Sequence, residues 1–280
     1  GGDEYYFVPL NRPYDDVQSI YKLNLEMKKR RCLVHELVLN KDKSIITVVN
    51  GISYVLIKLC KYKNDKVFLN DINYIQNMTA NIECDKSLVR NDWIKLWSEK
   101  IDYYEYQISQ VGKKYPLLCD SLSYFIGMGE NAISYLVNNL DSKTNVNLVV
   151  SHKRIYQESG SLNFYDPLNF VVDSRVRDVA EFIKETFYNK TLNLYDLKSY
   201  FNMANLNKNE YILLLGRLLF PTYYFDIYDD IINKGKSEEL VINIIDRTDE
   251  YESLLNTIYK FILYEKKARL EPIEWLQDKN

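Results

Sequence analysis

Residues 149–157 read VVSHKRIYQ, in which an apolar run and Ser151 precede His152, one of two histidines in the chain. A carboxylate two residues after such a histidine could accept the proton of a substrate hydroxyl group. Arg154 stands at that position instead. Its guanidinium stays protonated, so it cannot act as a base near neutral pH and would repel Mg²⁺. The segment is therefore either a catalytic loop without its base or a surface turn that contains a histidine.

Aspartates downstream of this segment carry the remaining metal-binding chemistry. Asp166 and Asp173 form the acid pair best placed to bind Mg²⁺, which prefers hard oxygen ligands. Two carboxylates alone make a weak metal site. Asp173 also has a competing role as the cap or dipole partner of the helix that follows, which Arg177 and Asp178 open.

The cations of the loop have several open interpretations. His152 either shapes the loop by hydrogen bonding to the backbone or simply packs within it. Arg154 either forms an ion pair with Asp166 or Asp173, closing the place of a metal, or is a solvated surface cation. Lys153 and Arg154 together could instead bind an anion such as phosphate.

The elements that must position these residues change in character along the chain. The first 65 or so residues alternate between strand and helix patterns, and from about residue 69 the pattern is helical. Asn50-Gly51 lies between apolar runs and predicts a hairpin turn. Glu130 and Asn131 form a polar pair at the expected start of a helix over 129–140, where capping explains them. Strands are predicted at 4–10, 32–40, 44–49, 52–60 and 147–150, and further helices at 14–31, 91–111, 177–188, 209–220, 237–248 and 252–268.

The composition excludes several classes of function. A net charge of -3 and a pI near 5.6 give no reason to expect binding to nucleic acid or to an anionic membrane. Nine glycines are about half the usual share, and neither G-x-G-x-x-G nor G-x-x-x-x-G-K-[ST] occurs, so a phosphate cradle of glycine backbone is absent. Four widely spaced cysteines form no zinc-binding pattern and are typical of a reducing compartment. Without a long apolar stretch or a signal-peptide pattern, we expect a soluble, cytoplasmic protein.

Four segments of the sequence resemble a known family. They are YYFVPL with the helix after it, the hairpin ending in YVLIKL, YFIGMGENAISYL and FVVDSRVRDVAEFIK. Together they resemble the spore-coat kinase-like family of CotS and YutH type, in the aminoglycoside phosphotransferase/choline kinase branch of the kinase fold. The resemblance spans about residues 4–275. It implies an α+β, protein-kinase-like bilobal fold, with a reduced N-lobe over 1–66 and a large helical C-lobe over 67–280 that carries a vestigial catalytic loop.

Active relatives of this fold grip ATP phosphates with a strand lysine and a glycine-rich loop. The lysine position falls on Val8, and the three residues before Glu4 are too few to form the loop, unless the natural chain begins further upstream. Lys58, in YVLIKL, suits the hinge strand better than the ATP-binding position. The resemblance therefore implies that the phosphate grip is missing.

An H-G-D-x-x-x-x-N loop supplies the base and a metal ligand in active relatives, and a later aspartate holds Mg²⁺. Here the loop glycine and aspartate become Lys153 and Arg154, and the asparagine would fall near Ser159. Asp166, twelve residues before Asp178, has a spacing compatible with the metal aspartate. The resemblance further implies structural roles: Asp178 anchors the loop backbone, and Arg177, Glu130 and Asn131 support the fold.

We therefore expect a catalytically deficient kinase-fold protein, a pseudokinase, that serves as a binding or scaffold protein for another protein. The resemblance implies a spore-coat setting. No cofactor is expected, and the sequence leaves the ligand and the oligomeric state open. One alternative is a divergent small-molecule phosphotransferase that uses ATP, with Asp166 and Asp173 binding Mg²⁺. The other is a helical interaction protein unrelated to kinases.

Overall fold

The computed structural model describes residues 2–61, 65–141, 146–158 and 160–277. The chain divides into two compact units, residues 1–91 with 147–178, and residues 92–146 with 179–280. The boundary between N-lobe and C-lobe that the sequence predicts after residue 66 stays a prediction. The packing groups 67–91 and 147–178 with the N-terminal sheet, so the loop segment and the sheet belong to one unit.

The described residues form six strands and twelve α-helices. The strands are β1 (Tyr5–Pro9), β2 (Glu36–Val38), β3 (Ile46–Val49), β4 (Ile52–Lys58), β5 (Leu148–His152) and β6 (Phe170–Ser174). The helices are α1 (Tyr14–Lys29), α2 (Leu69–Met78), α3 (Trp93–Val111), α4 (Pro116–Asn139), α5 (Gly160–Phe164), α6 (Val176–Tyr188), α7 (Leu194–Ala204), α8 (Lys208–Leu219), α9 (Thr222–Lys234), α10 (Ile242–Ile245), α11 (Thr248–Lys260) and α12 (Glu274–Gln277). Short 3₁₀ helices occupy Lys86–Leu88, Gly112–Lys114, Pro167–Asn169 and Glu238–Val241, and a π-helix occupies Phe261–Glu265.

An antiparallel sheet built around β4 forms the N-terminal part of the first unit. β1 pairs with one side of β4, and β2 and β3 pair with successive parts of the other side. Asn50 and Gly51 both have positive φ, 51° and 78°, as the predicted two-residue hairpin turn requires. Helix α1 buries Ile20, Leu23 and Met27. Their spacing of three and four residues places them on one face of the helix, which contributes to the core of this unit.

A second antiparallel pair, β5 with β6, positions the loop residues. The predicted strand at 147–150 extends to His152, which lies opposite Phe170. All five residues of β6 are buried. A strand buried on both faces shows no apolar–polar alternation, so residues 170–174 carry only a weak strand pattern. The pairing places Lys153 and Arg154 immediately beyond the end of β5.

The second unit is helical and has an aromatic core. Tyr104 of α3 stacks on Phe225 of α9 with ring centroids 4.5 Å apart, and Phe125 of α4 stacks on Tyr224 at 3.8 Å. Within the part of the chain that the structure describes, no helix combines the length and the apolar character needed to cross a membrane.

Two predictions about helix boundaries are wrong. Helix α4 begins at Pro116 rather than at residue 129, so Glu130 and Asn131 lie exposed in the middle of the helix and cap nothing. Gly129 is a packing residue rather than a helix boundary, because a Cβ there would lie 2.9 Å from Ile101 Cδ1. The segment 237–248 is likewise a 3₁₀ turn followed by the short α10 rather than one helix.

Candidate functional site

His152, at the end of β5, is buried, and both nitrogens of its ring have partners within the protein. Asp178 Oδ1 accepts the backbone N–H of His152 at 2.9 Å, and Asp178 Oδ2 lies 2.7 Å from Nδ1. Nε2 lies 2.8 Å from the carbonyl oxygen of Phe164, which can only accept, so Nε2 carries a hydrogen. A single proton then lies between Nδ1 and Asp178. The imidazole is therefore engaged entirely within the protein and anchors the loop.

Arg177 and Asp173 complete this anchor. Arg177 Nε donates to the carbonyl oxygen of His152 at 2.9 Å, and its Nη1 lies 2.8 Å from Asp173 Oδ2. Asp173 Oδ1 accepts the backbone N–H of Ser174 at 2.6 Å, and the residue is fully buried. Both oxygens of Asp173 are thus bound by protein donors, and a metal ion would have to displace a guanidinium to reach Oδ2.

Arg154 is exposed at the position of the missing base. Its Nη1 donates to the carbonyl oxygen of Lys153 at 2.9 Å. The side chain of Asn169 holds the backbone of Arg154, accepting from its N–H at 3.4 Å and donating to its carbonyl oxygen at 2.9 Å. The hollow that Arg154 lines with Tyr156 and Asn163 has no volume for a water molecule.

Asp166 lies just before the 3₁₀ turn and caps it, accepting the backbone N–H of Leu168 at 2.9 Å. Burial raises the pKa of Asp166 to about 6, against the opposing effects of that hydrogen bond and of the positive charges of Arg12 and Lys153. Burial, assisted by Arg12, lowers the pKa of Lys153 to about 8. The surroundings of Asp166 are therefore partly buried and cationic, which disfavours a divalent cation.

Arg12 is the site residue that the sequence did not indicate. It precedes α1, is 6% exposed, and donates from Nη2 to the carbonyl oxygen of Phe170 at 2.7 Å. Its Nε lies 4.0 Å from Asp16 Oδ2. A contact between residues 158 positions apart leaves no trace in local sequence, so no pattern could have found it.

The remaining predicted positions lie apart from this cluster of contacts. Val8 is half-buried in β1 opposite Val55. Lys58 pairs with Asp3 at 2.6 Å. Ser159, where the metal-binding asparagine was expected, lies outside the described residues. Among residues 2–61, 65–141, 146–158 and 160–277, no group of three or more His, Cys, Asp or Glu side chains could hold a metal ion.

The arrangement of the elements defines the class of fold. The structure matches the crystal structure of an aminoglycoside phosphotransferase from Alicyclobacillus acidocaldarius subsp. acidocaldarius with a TM-score of 0.67 and 9% sequence identity, over 93% of this chain and 87% of that chain. At this identity the match concerns the fold alone. The predicted α+β, protein-kinase-like fold, with a small sheet-containing N-lobe and a helical C-lobe, is confirmed.

Sequence comparison then defines the family within that fold. The family described as "Spore coat putative kinase YutH" matches residues 1–258. Over 207 residues, the chain is 30% identical to the endospore coat-associated protein YutH of Bacillus subtilis (strain 168), covering 66% of this chain and 61% of that protein. The chain therefore belongs to the YutH family of kinase-like spore coat proteins, as the resemblance implied. It matches less than two thirds of its relative's length.

Proposed function

We propose that the protein is a catalytically deficient kinase-fold protein of the spore coat that acts by binding another protein rather than by transferring phosphate. The observation that carries this proposal is the exposed guanidinium of Arg154 at the position where phosphoryl transfer requires a carboxylate. The membership of the YutH family and the name of its coat-associated relative support the spore-coat setting.

The residues present do not fit a complex of Mg²⁺ and nucleotide. Asp173 is occupied by Arg177 and by the backbone of Ser174. Asp166 binds a backbone N–H and lies in the field of Arg12 and Lys153. Magnesium would have to compete with these fixed cations for its oxygen ligands, and a cation does not bind where the surroundings already compensate the acid.

The loss of the base alone is expected to be severe. A positioned general base contributes about 10²–10⁴-fold to the rate of such a reaction, and stabilisation of phosphate charge contributes further. The position of the phosphate-binding lysine holds Val8, so a second contribution is missing as well. These losses support a function that depends on the shape and surface of the fold.

Nucleotide binding and turnover test the catalytic part of this proposal. With the purified protein, we expect no release of phosphate from ATP and no change in Tm on titration with Mg²⁺ and a nonhydrolysable ATP analogue. Stabilisation by several degrees that disappears in Asp166→Asn would instead support a divergent phosphotransferase.

Localisation in spores tests the binding part. We expect the chain, tagged and expressed in sporulating Bacillus subtilis that lacks its own YutH, to associate with the coat. The Asp166→Asn variant should associate equally, because the proposed role requires no metal-dependent chemistry. A wild-type protein that does not associate, or a folded Asp166→Asn variant that loses association, would contradict the proposal.

A further inference from the structure

The second unit contains a pocket of about 270 Å³ between α7 and the end of α11. Its floor consists of Leu197, Phe201, Ile258 and Phe261, each less than 10% exposed. Ligand sites in proteins are concave, mostly apolar and bordered by a few polar groups. The size and lining of this pocket fit one aromatic ring or a short branched chain.

Positive charge borders the apolar floor. The ammonium group of Lys198, which lines the pocket, lies 5.6 Å from the centroid of the Phe261 ring, and that of Lys266 lies 5.7 Å from it. Glu265 is 4.0 Å from Lys198, but both side chains are more than half exposed. Such an exposed pair is weak, so Lys198 can exchange this partner for the carboxylate of a ligand.

The backbone at the pocket is also unusual. The π-helix Phe261–Glu265 follows α11 directly and carries both Phe261 and Glu265. Insertions of a π-helical turn are rare and are frequent at functional sites, because they shift side chains away from regular helical positions. The turn therefore sets the position of Phe261, which lines the floor, and of Glu265, which pairs with Lys198 beside the pocket.

We propose that this pocket binds a small organic acid with an apolar body, such as an aryl or branched alkyl carboxylate. The body lies on Leu197, Phe201, Ile258 and Phe261, and the carboxylate pairs with Lys198 in place of Glu265. This inference is independent of the loop at His152, because it concerns other residues and no phosphoryl transfer.

Isothermal titration calorimetry with phenylacetate, 3-phenylpropanoate and 4-methylpentanoate tests the proposal directly. We expect at least one of these acids to bind with a Kd below about 1 mM. The matching amides should bind more weakly, since they keep the apolar body but lack the charge. If none of the acids binds, or if amides and acids bind equally, the proposal is wrong.

Three variants assign the binding to this pocket, and a fourth is the control for the lysine substitution. Lys198→Met should weaken binding of the acid by about fivefold and leave binding of the amide unchanged. Glu265→Gln should strengthen binding of the acid, because it removes the competitor for Lys198. Lys95→Met is the matched control, since Lys95 is also exposed and lies 3.9 Å from Glu99 in the same unit. Thr257→Phe should block the pocket, whose rim Thr257 forms.

Ser253→Phe places the same ring one turn earlier on α11, outside the pocket lining, and controls for the added aromatic group. The proposal is overturned if Thr257→Phe binds the acid as wild type does, or if Lys95→Met weakens binding as much as Lys198→Met. Sedimentation of the wild-type protein gives a separate outcome. A dimer that dissociates on Thr257→Phe substitution would assign the pocket to a second copy of this chain instead.

Discussion

The contact between Asp178 and His152 gives the sharpest test of how the loop is held. Asp178 is 2% exposed and binds both the backbone N–H and the ring of His152. Replacing it by alanine removes both acceptors at once. The N–H and Nδ1 of His152 would then lie buried without partners, because His152 is itself only 2% exposed.

The cost follows from the groups left unsatisfied. Each buried polar group without a partner costs about 1–3 kcal/mol, and Asp178→Ala leaves two such groups, the backbone N–H and Nδ1 of His152. We therefore expect Asp178→Ala to lower the free energy of unfolding by about 4 kcal/mol. A displaced His152 would also weaken the hydrogen bond that Arg177 donates to its carbonyl oxygen.

Asp178→Asn should cost much less, about 1 kcal/mol. The amide oxygen can still accept the backbone N–H of His152, and the amide nitrogen can donate to Nδ1 of a neutral imidazole. Nε2 keeps its hydrogen bond to the carbonyl oxygen of Phe164. Every buried group would then retain a partner, which is the condition for a small effect.

Urea denaturation followed by far-UV circular dichroism measures both values. Nitrogen-15 NMR of the imidazole should find the tautomer with hydrogen on Nε2 in Asp178→Asn. Asp71→Ala is a control, because Asp71 accepts one backbone N–H, that of Phe68, at a less buried position. Its cost should be about 1 kcal/mol. Equal destabilisation by Asp178→Ala and Asp178→Asn would refute the hydrogen-bonding scheme.

Further substitutions test the acid, the missing base and the helix packing. Asp166→Asn should raise the free energy of unfolding at pH 7 by at most about 3 kcal/mol and change it little at pH 3. The pKa of Asp166 is raised from 3.8 to about 6, so the wild type loses stability as the pH rises through that interval. Solvent screening at this half-buried group reduces the gain, and urea denaturation at both pH values measures it. Arg154→Asp should still give no ATP turnover, because Val8 would still stand at the position of the phosphate-binding lysine, and phosphate release above the wild-type level would contradict this expectation. Gly216→Ala should cost about 1–3 kcal/mol, because its Cβ would clash with Cδ2 of Leu136. The Cβ of Gly127→Ala would meet nothing within 4 Å, so this substitution should stabilise α4 by about 0.5–1 kcal/mol. A lower Tm for Gly127→Ala than for Gly216→Ala would contradict the described packing of α4 against α8.

The sequence alone determined the elements whose causes are local. The turn at Asn50-Gly51 needs two residues that tolerate positive φ, and the helical stripe of Trp93, Trp97 and Tyr104 follows from a period of 3.6 residues. Motifs of the spore-coat kinase-like family also predicted the fold, and the comparisons with known proteins agree with that prediction. The positive charge of Arg154 could be predicted from its residue type alone, since a guanidinium stays protonated wherever it lies.

Only the tertiary structure decided how the site residues are partnered. Glu130 and Asn131 were interpreted as caps because a helix was expected to start at residue 129, but Gly129 packs closely against Ile101 and the helix continues through it. Asp173 pairs with Arg177, and Arg12 reaches the carbonyl oxygen of Phe170 from 158 residues away. Burial and charge at each carboxylate are sums over neighbours from distant parts of the chain, and those sums exist only once the chain has folded.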